Sequence, residues 1–311
     1  MVAHHQCEAV AALEAAECGK QVILVEKNPS VGCRVSQLYK YFPKLCHPKC
    51  GMEINLRRLK ANKNIRLMTM TEVSHVEGDS GNYTVTLKAT PRYVNENCTA
   101  CGACGDAVET EFDSEYDYGL GKRKGAYLPF NMAYPQRYVL DPRMIGTGDA
   151  QKAKDACKYD AIDLDMQESE TTITVGAIIW ATGWQPFDAD KIQPYGHDRI
   201  ANVVSSVEFE RMLDPFGPTG GKILRPSNGE PPKHVAFVQC AGSRDPDHLA
   251  YCSSECCLTS LRQVSAIHDL APGVETTVVY RDMRTPGQTE HFYLAVQEHP
   301  MSFLARGEVE V

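Results

Sequence analysis

Long apolar runs are missing from this 311-residue chain. No stretch approaches the roughly 20 residues that span a bilayer, so contact with a membrane is expected only through a partner. Positive charge is in deficit: 32 lysines and arginines stand against 40 aspartates and glutamates, a net charge of −8. A chain of that sign repels a phosphate backbone, which sets nucleic acid aside as a partner. The opening Met1-Val2-Ala3-His4-His5 lacks the basic-then-apolar layout of a secretory leader. No acid–base or nucleophilic constellation stands out, so the expected chemistry is not hydrolysis. What remains is ordinary for a soluble globular protein, with 43% hydrophobic and 23% charged residues, and long enough for two domains and a real core.

Cysteine is abundant. The 13 cysteines fall at 7, 18, 33, 46, 50, 98, 101, 104, 157, 240, 252, 256 and 257. A secreted disulfide scaffold would be shorter and would usually carry an even number. Clustered cysteines in a cytosolic chain of this size argue for metal.

Along the chain, Ala9 to Ala16 is a helix-forming run that Gly19 is placed to end. Gln21 to Glu26 reads as a buried parallel strand closing on an acid. Residues 83–88 alternate like an antiparallel strand, and residues 172–180 read as a further strand pair running into Ala181-Thr182-Gly183. Between them, residues 92–165 are rich in Cys, Gly, Tyr and Pro with little periodicity, and read as an inserted module. A Pro/Gly-rich connection at 214–232 leads to a second α/β unit: a strand at 234–239, a helix near 255–270 and a strand at 276–280. The expected domains are therefore 1–91 with 166–232, the insertion 92–165, and 233–311. The ending, Arg306 to Val311, reads as the start of a strand with no partner after it, so an incomplete C-terminus is expected.

Strand, acid and then a second glycine region is the layout of an FAD-binding half. Glu26 can accept hydrogen bonds from a ribose. Gly32-Cys33-Arg34 follows at the spacing at which a loop and an arginine meet a pyrophosphate, and Ala181-Thr182-Gly183 can bring backbone to the flavin side. One feature runs against this layout. The phosphate-turn positions ahead of the first helix hold Ala3, His5 and Glu8 rather than glycine. Side chains there crowd a pyrophosphate, and Glu8 adds like charge. The expectation is that the opening residues do not represent the natural first strand.

Cys98-Thr99-Ala100-Cys101-Gly102-Ala103-Cys104 is C-x2-C-x2-C, three thiolates for three corners of a cubane. In two-cluster bacterial ferredoxins a further cysteine of each run goes to the other cluster. Read on that pattern, the second cluster's positions hold Val108, Thr147, Ala150 and Ala153, whereas the first cluster's set is whole: Cys98, Cys101, Cys104 and Cys157. One 4Fe–4S cluster on a half-emptied two-cluster module is expected. Zinc is the competing occupant, since four thiolates also suit it.

Cys240 follows a strand, and Cys252, Cys256 and Cys257 lead into a helix, where a flavoprotein reductase would carry a glycine loop for NAD(P). Spacing alone leaves a cluster site and a buried or redox-active thiol group equally open. Cys46 and Cys50 form C-x3-C around His47 and read as a proline-stiffened loop, and Cys7, Cys18 and Cys33 receive no role.

Together these stretches resemble the A subunit of heterodisulfide reductase, and resemble more closely still the A subunit of the quinone-interacting membrane-bound oxidoreductase complex of sulfate reducers. The matching segments are 25–29, 32–38, 41–55, 98–104, 157–165, 181–188, 203–221 and 238–261. The resemblance implies an α/β fold, a thioredoxin-reductase-like two-dinucleotide-binding (Rossmann) flavoprotein with an inserted ferredoxin-like module. It implies cofactor contacts at Glu26, Lys27, Gly32, Cys33, Arg34, Gln37, Leu38, Val73, Ala181, Thr182 and Gly183. It also implies cluster ligation by Cys240, Cys252, Cys256 and Cys257, so that FAD and one or two 4Fe–4S clusters are expected. The implied partners are a B-like iron–sulfur/flavin protein, a C-like membrane haem/quinone protein and adenylylsulfate reductase, with electrons exchanged with menaquinol at the cytoplasmic face of the membrane. Two alternatives stand beside this: an electron-bifurcating component of heterodisulfide reductase type, and a scaffold without FAD. An NAD(P)H-dependent reductase would need a glycine loop that Cys240-Ala241-Gly242-Ser243 does not supply.

Overall fold

A computed structural model of the chain describes residues 7–42 and 44–307. The chain divides into two compact α/β units, Met1–Gln37 with Cys46–Trp184, and Leu38–Leu45 with Gln185–Val311. The stretch 166–232 is thus shared between the units, the division falling after Trp184.

In the first unit, α1 (Cys7–Glu17) is an alanine-rich helix. It ends where Gly19, at φ 79, takes the left-handed conformation and donates its N–H to Ala16 O at 2.9 Å. Then come β1 (Val22–Glu26), the short α2 (Cys33–Ser36), α3 (Lys49–Ala61) and β2 (Ile65–Thr69). β1 and β2 pair in parallel from Val22↔Ile65 to Glu26↔Thr69. Leu13, Leu24, Val31 and Leu59 form the core beneath α1 and α3. Each such burial is worth roughly 1.5–3 kcal/mol, more than the exposed Arg58–Glu17 pair that also joins the two helices.

β3 (Thr71–Asp79) and β4 (Asn82–Ala89) form a hairpin with a bulge between Val73 and His75. The chain leaves this sheet after Ala89 and comes back into it as a strand opposite, with Ala89 paired to Ser169 and Tyr83 to Val175. Residues 90–168 are therefore inserted between two hydrogen-bonded neighbours. The insertion contains α4 (Ala103–Ala107), β5 (Glu111–Asp113), β6 (Lys122–Lys124), β7 (Ala126–Tyr127), β8 (Val139–Leu140) and α5 (Gly148–Ala156), and β9 (Ser169–Val175) is the returning strand. Its two ends are zipped together: Val94 bridges Ile162, Asn95 N–H reaches Ala161 O at 2.7 Å and Asp163 N–H reaches Tyr93 O at 3.1 Å. Within it, Val94, Cys104, Val108, Leu140, Met144, Ala150, Ala153 and Ile162 share one core.

The expectation of a strand over residues 172–180 is corrected: β9 stops at Val175. Its ladder partner β4 begins at Asn82; the turn residue Gly81 donates its N–H to Gly176 O at 3.1 Å, and β4 extends no further to pair residues 177–180. Ile179 and Trp180 stand 68% and 63% exposed.

The second unit holds α6 (Ser206–Leu213), entered through a Ser205/Glu208 capping box. It continues with β10 (His234–Val238), α7 (Cys256–Leu270), β11 (Glu275–Tyr280), α8 (Thr289–Gln297) and β12 (Ser302–Arg306). The three strands lie in the order β10-β11-β12, all parallel, with α7 and α8 as crossovers. The last strand thus comes earlier than expected and has a partner, Thr276↔Ser302 through Tyr280↔Arg306; residues 308–311 lie outside those described. Glu210 of α6, 1% exposed, accepts from Gln263 Nε2 of α7 at 2.5 Å, from Arg262 and from Tyr39 N–H at 2.9 Å. The segment Leu38–Leu45 is held to its unit by that last bond.

The insertion is fastened by one buried carboxylate. Asp141, 2% exposed, accepts from Arg143 N–H at 2.9 Å, from Arg143 Nη2 at 2.7 Å and from Arg123 Nη2 at 2.8 Å. Burial alone would raise its pKa, but the bonds from Arg143 and Arg123 hold it well below the usual carboxylate range. Removing one partner of a buried pair strands the others, so Asp141→Asn is expected to cost about 3 kcal/mol in chemical denaturation. The unfolded chain takes up this proton first, so the contribution is complete above about pH 4 and fades below it. Asp141→Asn should flatten that acid limb, and an unchanged limb would contradict the assignment.

Candidate functional site

The C-x2-C-x2-C loop is shaped by local turns. Asn95 Oδ1 accepts Asn97 N–H at 2.9 Å, and Asn95 Nδ2 reaches across to Asp160 O at 3.0 Å. Ala100 and Gly102 take positive φ, 55 and 90, coiling the chain before α4. Cys157 caps the C-terminus of α5. The result is one pocket lined by Cys98, Cys101, Cys104 and Cys157 together with Val94, Tyr138 and Ile162. Two backbone amides aim at sulfur: Ala100 N–H to Cys98 Sγ and Ala161 N–H to Cys157 Sγ, each at 3.4 Å. Burial pushes the Cys104 thiol up to about 11, and the neighbouring Cys98 and Cys157 act in the same direction. Metal-free, this group resists ionisation; a bound cation reverses that preference. Among the described residues, no three His, Cys, Asp or Glu side chains stand close enough to share a single ion.

The positions of a second ferredoxin-type cluster are filled. Val108, Ala150 and Ala153 are at most 1% exposed and pack in the same core as Cys104. Thr147 donates its hydroxyl to Met144 O at 2.6 Å.

In the second unit the loop after β10 folds back on itself. Leu249 N–H reaches Gly242 O at 3.2 Å and Arg244 N–H reaches Tyr251 O at 3.1 Å. This return brings Cys252 back towards Cys240. Gly242 is required there, because a Cβ would lie 2.5 Å from the Phe187 ring. Cys256 and Cys257 open α7, one exposed and one buried. Cys252 Sγ accepts Ser254 N–H at 3.4 Å, and Ser253 Oγ lies 3.0 Å from Cys256 Sγ. Burial raises the Cys257 thiol, with Cys240, Cys256 and Cys252 adding to the effect. Arg244 is ion-paired to Asp282.

The nucleotide-type residues are placed as follows. Glu26 ends β1 and its Oε1 accepts from Asn28 N and Nδ2, both at 2.8 Å; Lys27 follows it. Gly32, at φ 78, caps α2 where a Cβ would meet Met52 Cε at 2.9 Å. Arg34 lies on α2 and Gln37 caps its C-terminus. Val73 is half-buried at the β3 bulge. Ala181 is half-buried, and Thr182 and Gly183 are exposed. Leu38 belongs to the second unit. Ala3, His5 and the side chains of Glu8 and Cys33 lie outside the described residues.

Sequence reasoning missed the aromatic residues around Arg34. Arg34 Nη1 donates to Tyr118 OH at 3.0 Å, Tyr118 OH donates to Gln37 Oε1 at 3.1 Å, and Gln37 Nε2 donates to Tyr116 O at 2.8 Å. The Trp184 ring lies 5.7 Å from the guanidinium. The tyrosine density of the insertion was the available signal. His47 Nδ1 accepts Lys49 N–H at 3.2 Å at the start of α3, a structural use in keeping with a stiffened loop at Cys46 and Cys50.

No protein-family model matches the chain. Among curated proteins it is similar to the iron–sulfur A subunit of CoB–CoM heterodisulfide reductase of Methanocaldococcus jannaschii, 41% identical over 295 residues, 93% of this chain and 44% of that protein. It is 38% identical over 291 residues to the A subunit of the H(2):CoB-CoM heterodisulfide,ferredoxin reductase of Methanothermobacter marburgensis, 93% of this chain and 44% of that one. Over nearly its whole length the chain is heterodisulfide reductase A subunit-like. It is also 36% identical over 304 residues to the A subunit of the ferredoxin/F(420)H(2)-dependent CoB–CoM heterodisulfide reductase of Methanosarcina acetivorans, 96% of this chain and 38% of that one. The chain spans less than half the length of the curated relatives it matches.

If the pocket of the first unit holds a cubane, Cys101→Ala or Cys157→Ala should remove about four irons per chain, measured anaerobically with acid-labile sulfide. Cys46→Ala and Cys50→Ala should leave the iron count unchanged. Equal losses from both pairs would show that the pocket is not the iron site.

Proposed function

We propose that this chain is the flavin and iron–sulfur electron relay of a heterodisulfide reductase-type oxidoreductase complex. The observation that carries the reading is the meeting of Cys98, Cys101, Cys104 and Cys157, from the two ends of one insertion, in a single pocket. A zinc ion would draw four sulfurs to within roughly 4 Å of one another, given Zn–S bonds of about 2.3 Å. A cubane holds them apart at its corners. The ferredoxin spacing of these cysteines supports one 4Fe–4S cluster on them. The apolar filling at Val108, Ala150 and Ala153 supports a single cluster in a ferredoxin-like module over residues 92–165. A second cluster is assigned to Cys240, Cys252, Cys256 and Cys257, supported by the loop that returns between Cys240 and Cys252 and by a sulfur-directed amide.

FAD is assigned to a discontinuous Rossmann-type domain, residues 1–91 with 166–232, with a second Rossmann-like unit at 233–311. The positive φ of Gly32 fits a phosphate-binding turn, and Arg34 supplies the cation. The remaining contacts are assigned to Glu26, Lys27, Cys33, Gln37, Val73, Ala181, Thr182 and Gly183. Bound there, FAD exchanges electrons as pairs or singly, which a cluster cannot do. The protein's part is to orient the flavin through Arg34 and Gln37, and to tune the clusters through amide bonds to sulfur and burial.

Partner proteins complete the complex in this reading. Among the described residues no helix is long and apolar enough to cross a membrane. Attachment at the cytoplasmic face is assigned to two partners, a B-like iron–sulfur/flavin protein and a C-like haem/quinone protein. The relatives' names favour a heterodisulfide-type acceptor, with electron bifurcation as the corresponding mechanism. Exchange between menaquinol and adenylylsulfate reductase in sulfate reduction is the narrower reading, resting on the resemblance of the 41–55 loop and the second cysteine set. Ala3, His5 and Glu8 at the phosphate-turn positions favour the flavin-free scaffold.

A reductive titration separates these. NADH and NADPH should leave the flavin absorbance unchanged, whereas reduced methyl viologen should bleach it and bring up cluster EPR signals. Bleaching by NADH would replace the relay with a pyridine-nucleotide reductase. Cluster signals without flavin would leave the scaffold. In the whole complex, reoxidation by a menaquinone analogue would favour the quinone reading, and reoxidation by CoB–CoM heterodisulfide the other.

A further inference from the structure

The insertion does more than hold cysteines. Its loop 114–119 reaches the segment that carries Gly32, Arg34 and Gln37. The loop is built firmly: Ser114, 4% exposed, caps a helical turn over Glu115–Asp117, and its hydroxyl bonds Asp117 Oδ2 at 2.8 Å. The Tyr116 ring stacks on Phe130 with centroids 5.4 Å apart. Tyr118 then takes φ 54, a left-handed conformation that a bulky residue adopts only when its surroundings insist. That turn presents its phenol to Arg34 and Gln37.

The hydrogen bonds run in one direction. Arg34 donates to Tyr118 OH, so the phenol must spend its own proton on Gln37 Oε1. Gln37, 5% exposed, is held in turn by its bond to Tyr116 O. One guanidinium N–H is thereby committed to the insertion; an arginine fork has five donors, so others remain for an anion. A cation held in this way loses less side-chain entropy when an anionic ligand arrives.

We propose that Tyr118 is a positioning residue for the flavin: by locking Arg34 it makes FAD affinity depend on the docked state of the cluster-bearing insertion. The proposal rests on the assignment of Arg34 to the FAD pyrophosphate. It predicts that Tyr118→Phe, which keeps the ring and loses only the hydroxyl, weakens FAD binding about five- to tenfold, the scale of one hydrogen bond.

The test is a double-mutant cycle on the cluster-loaded chain, with FAD dissociation constants read from flavin fluorescence and iron counted on each sample. Arg34→Lys keeps the charge and loses the planar fork. The expected result is that Tyr118→Phe weakens binding in the wild-type background, has no further effect in the Arg34→Lys background, and leaves iron unchanged. Weakening of equal size in both backgrounds would mean that Tyr118 acts by general packing, and overturns the proposal. Unchanged affinity in Tyr118→Phe overturns it as well. If Arg34→Lys alone binds FAD like the wild type, the assignment of Arg34 has failed and the proposal falls with it, a result distinguishable from the other two.

Discussion

Four thiols must meet in one pocket although one of them lies far along the chain from the other three. Several contacts in the insertion serve that convergence. The bridge from Val94 to Ile162 brings the flanks of Cys98 and Cys157 together. The packing of α4 on α5 through Cys104, Ala150 and Ala153 fixes the distance between the two halves. The Asp141 ion pairs and the buried Arg92, which donates to Arg137 O at 3.0 Å and Thr69 Oγ1 at 3.1 Å, tie the insertion to itself and to β2. Burial brings the Arg92 pKa down to about 10, with Arg137 adding to it, so this cation is costly to bury and is kept in place by its acceptors. A crowd of thiols in apolar surroundings gains little by itself. With iron, the same crowding becomes ligand preorganisation, and metal binding becomes part of the folding free energy.

The second unit meets the same requirement by another route. There the return of a loop and the start of a crossover helix converge, with Cys240 at φ 58 and Ser254 at φ 64, both outside the region most residues prefer. Strained backbone beside a thiol group is a pattern of functional sites. The parallel strands β10, β11 and β12 supply the rigid frame, and the buried Glu210–Arg262 pair fixes α7 from behind.

Much of this was legible in the amino-acid sequence. The β1 run Val22 to Glu26 and the parallel sheet of the second unit are short apolar strands alternating with helical patterns, the least ambiguous kind of signal. The insertion's limits followed from the loss of periodicity, because sheet neighbours β4 and β9 are both regular. The grouping of Cys157 with the 98–104 loop came from ferredoxin spacing. Three features were not legible. The end of β9 at Val175 depends on where its partner turns, which is a tertiary fact. The division after Trp184, and the placing of Leu38–Leu45 with the later residues, depend on single bonds such as Tyr39 N–H to Glu210, which leave no periodic trace. The Arg34–Tyr118–Gln37 chain joins residues separated by more than eighty positions, and no local pattern encodes such a pairing.

The central claim is that the two cysteine groups are cluster sites on a flavin relay. Its most direct test is iron, acid-labile sulfide and FAD per chain on anaerobically purified protein. The account predicts about eight irons, about eight sulfides and one FAD. Zinc in place of iron, or iron without sulfide, would contradict it.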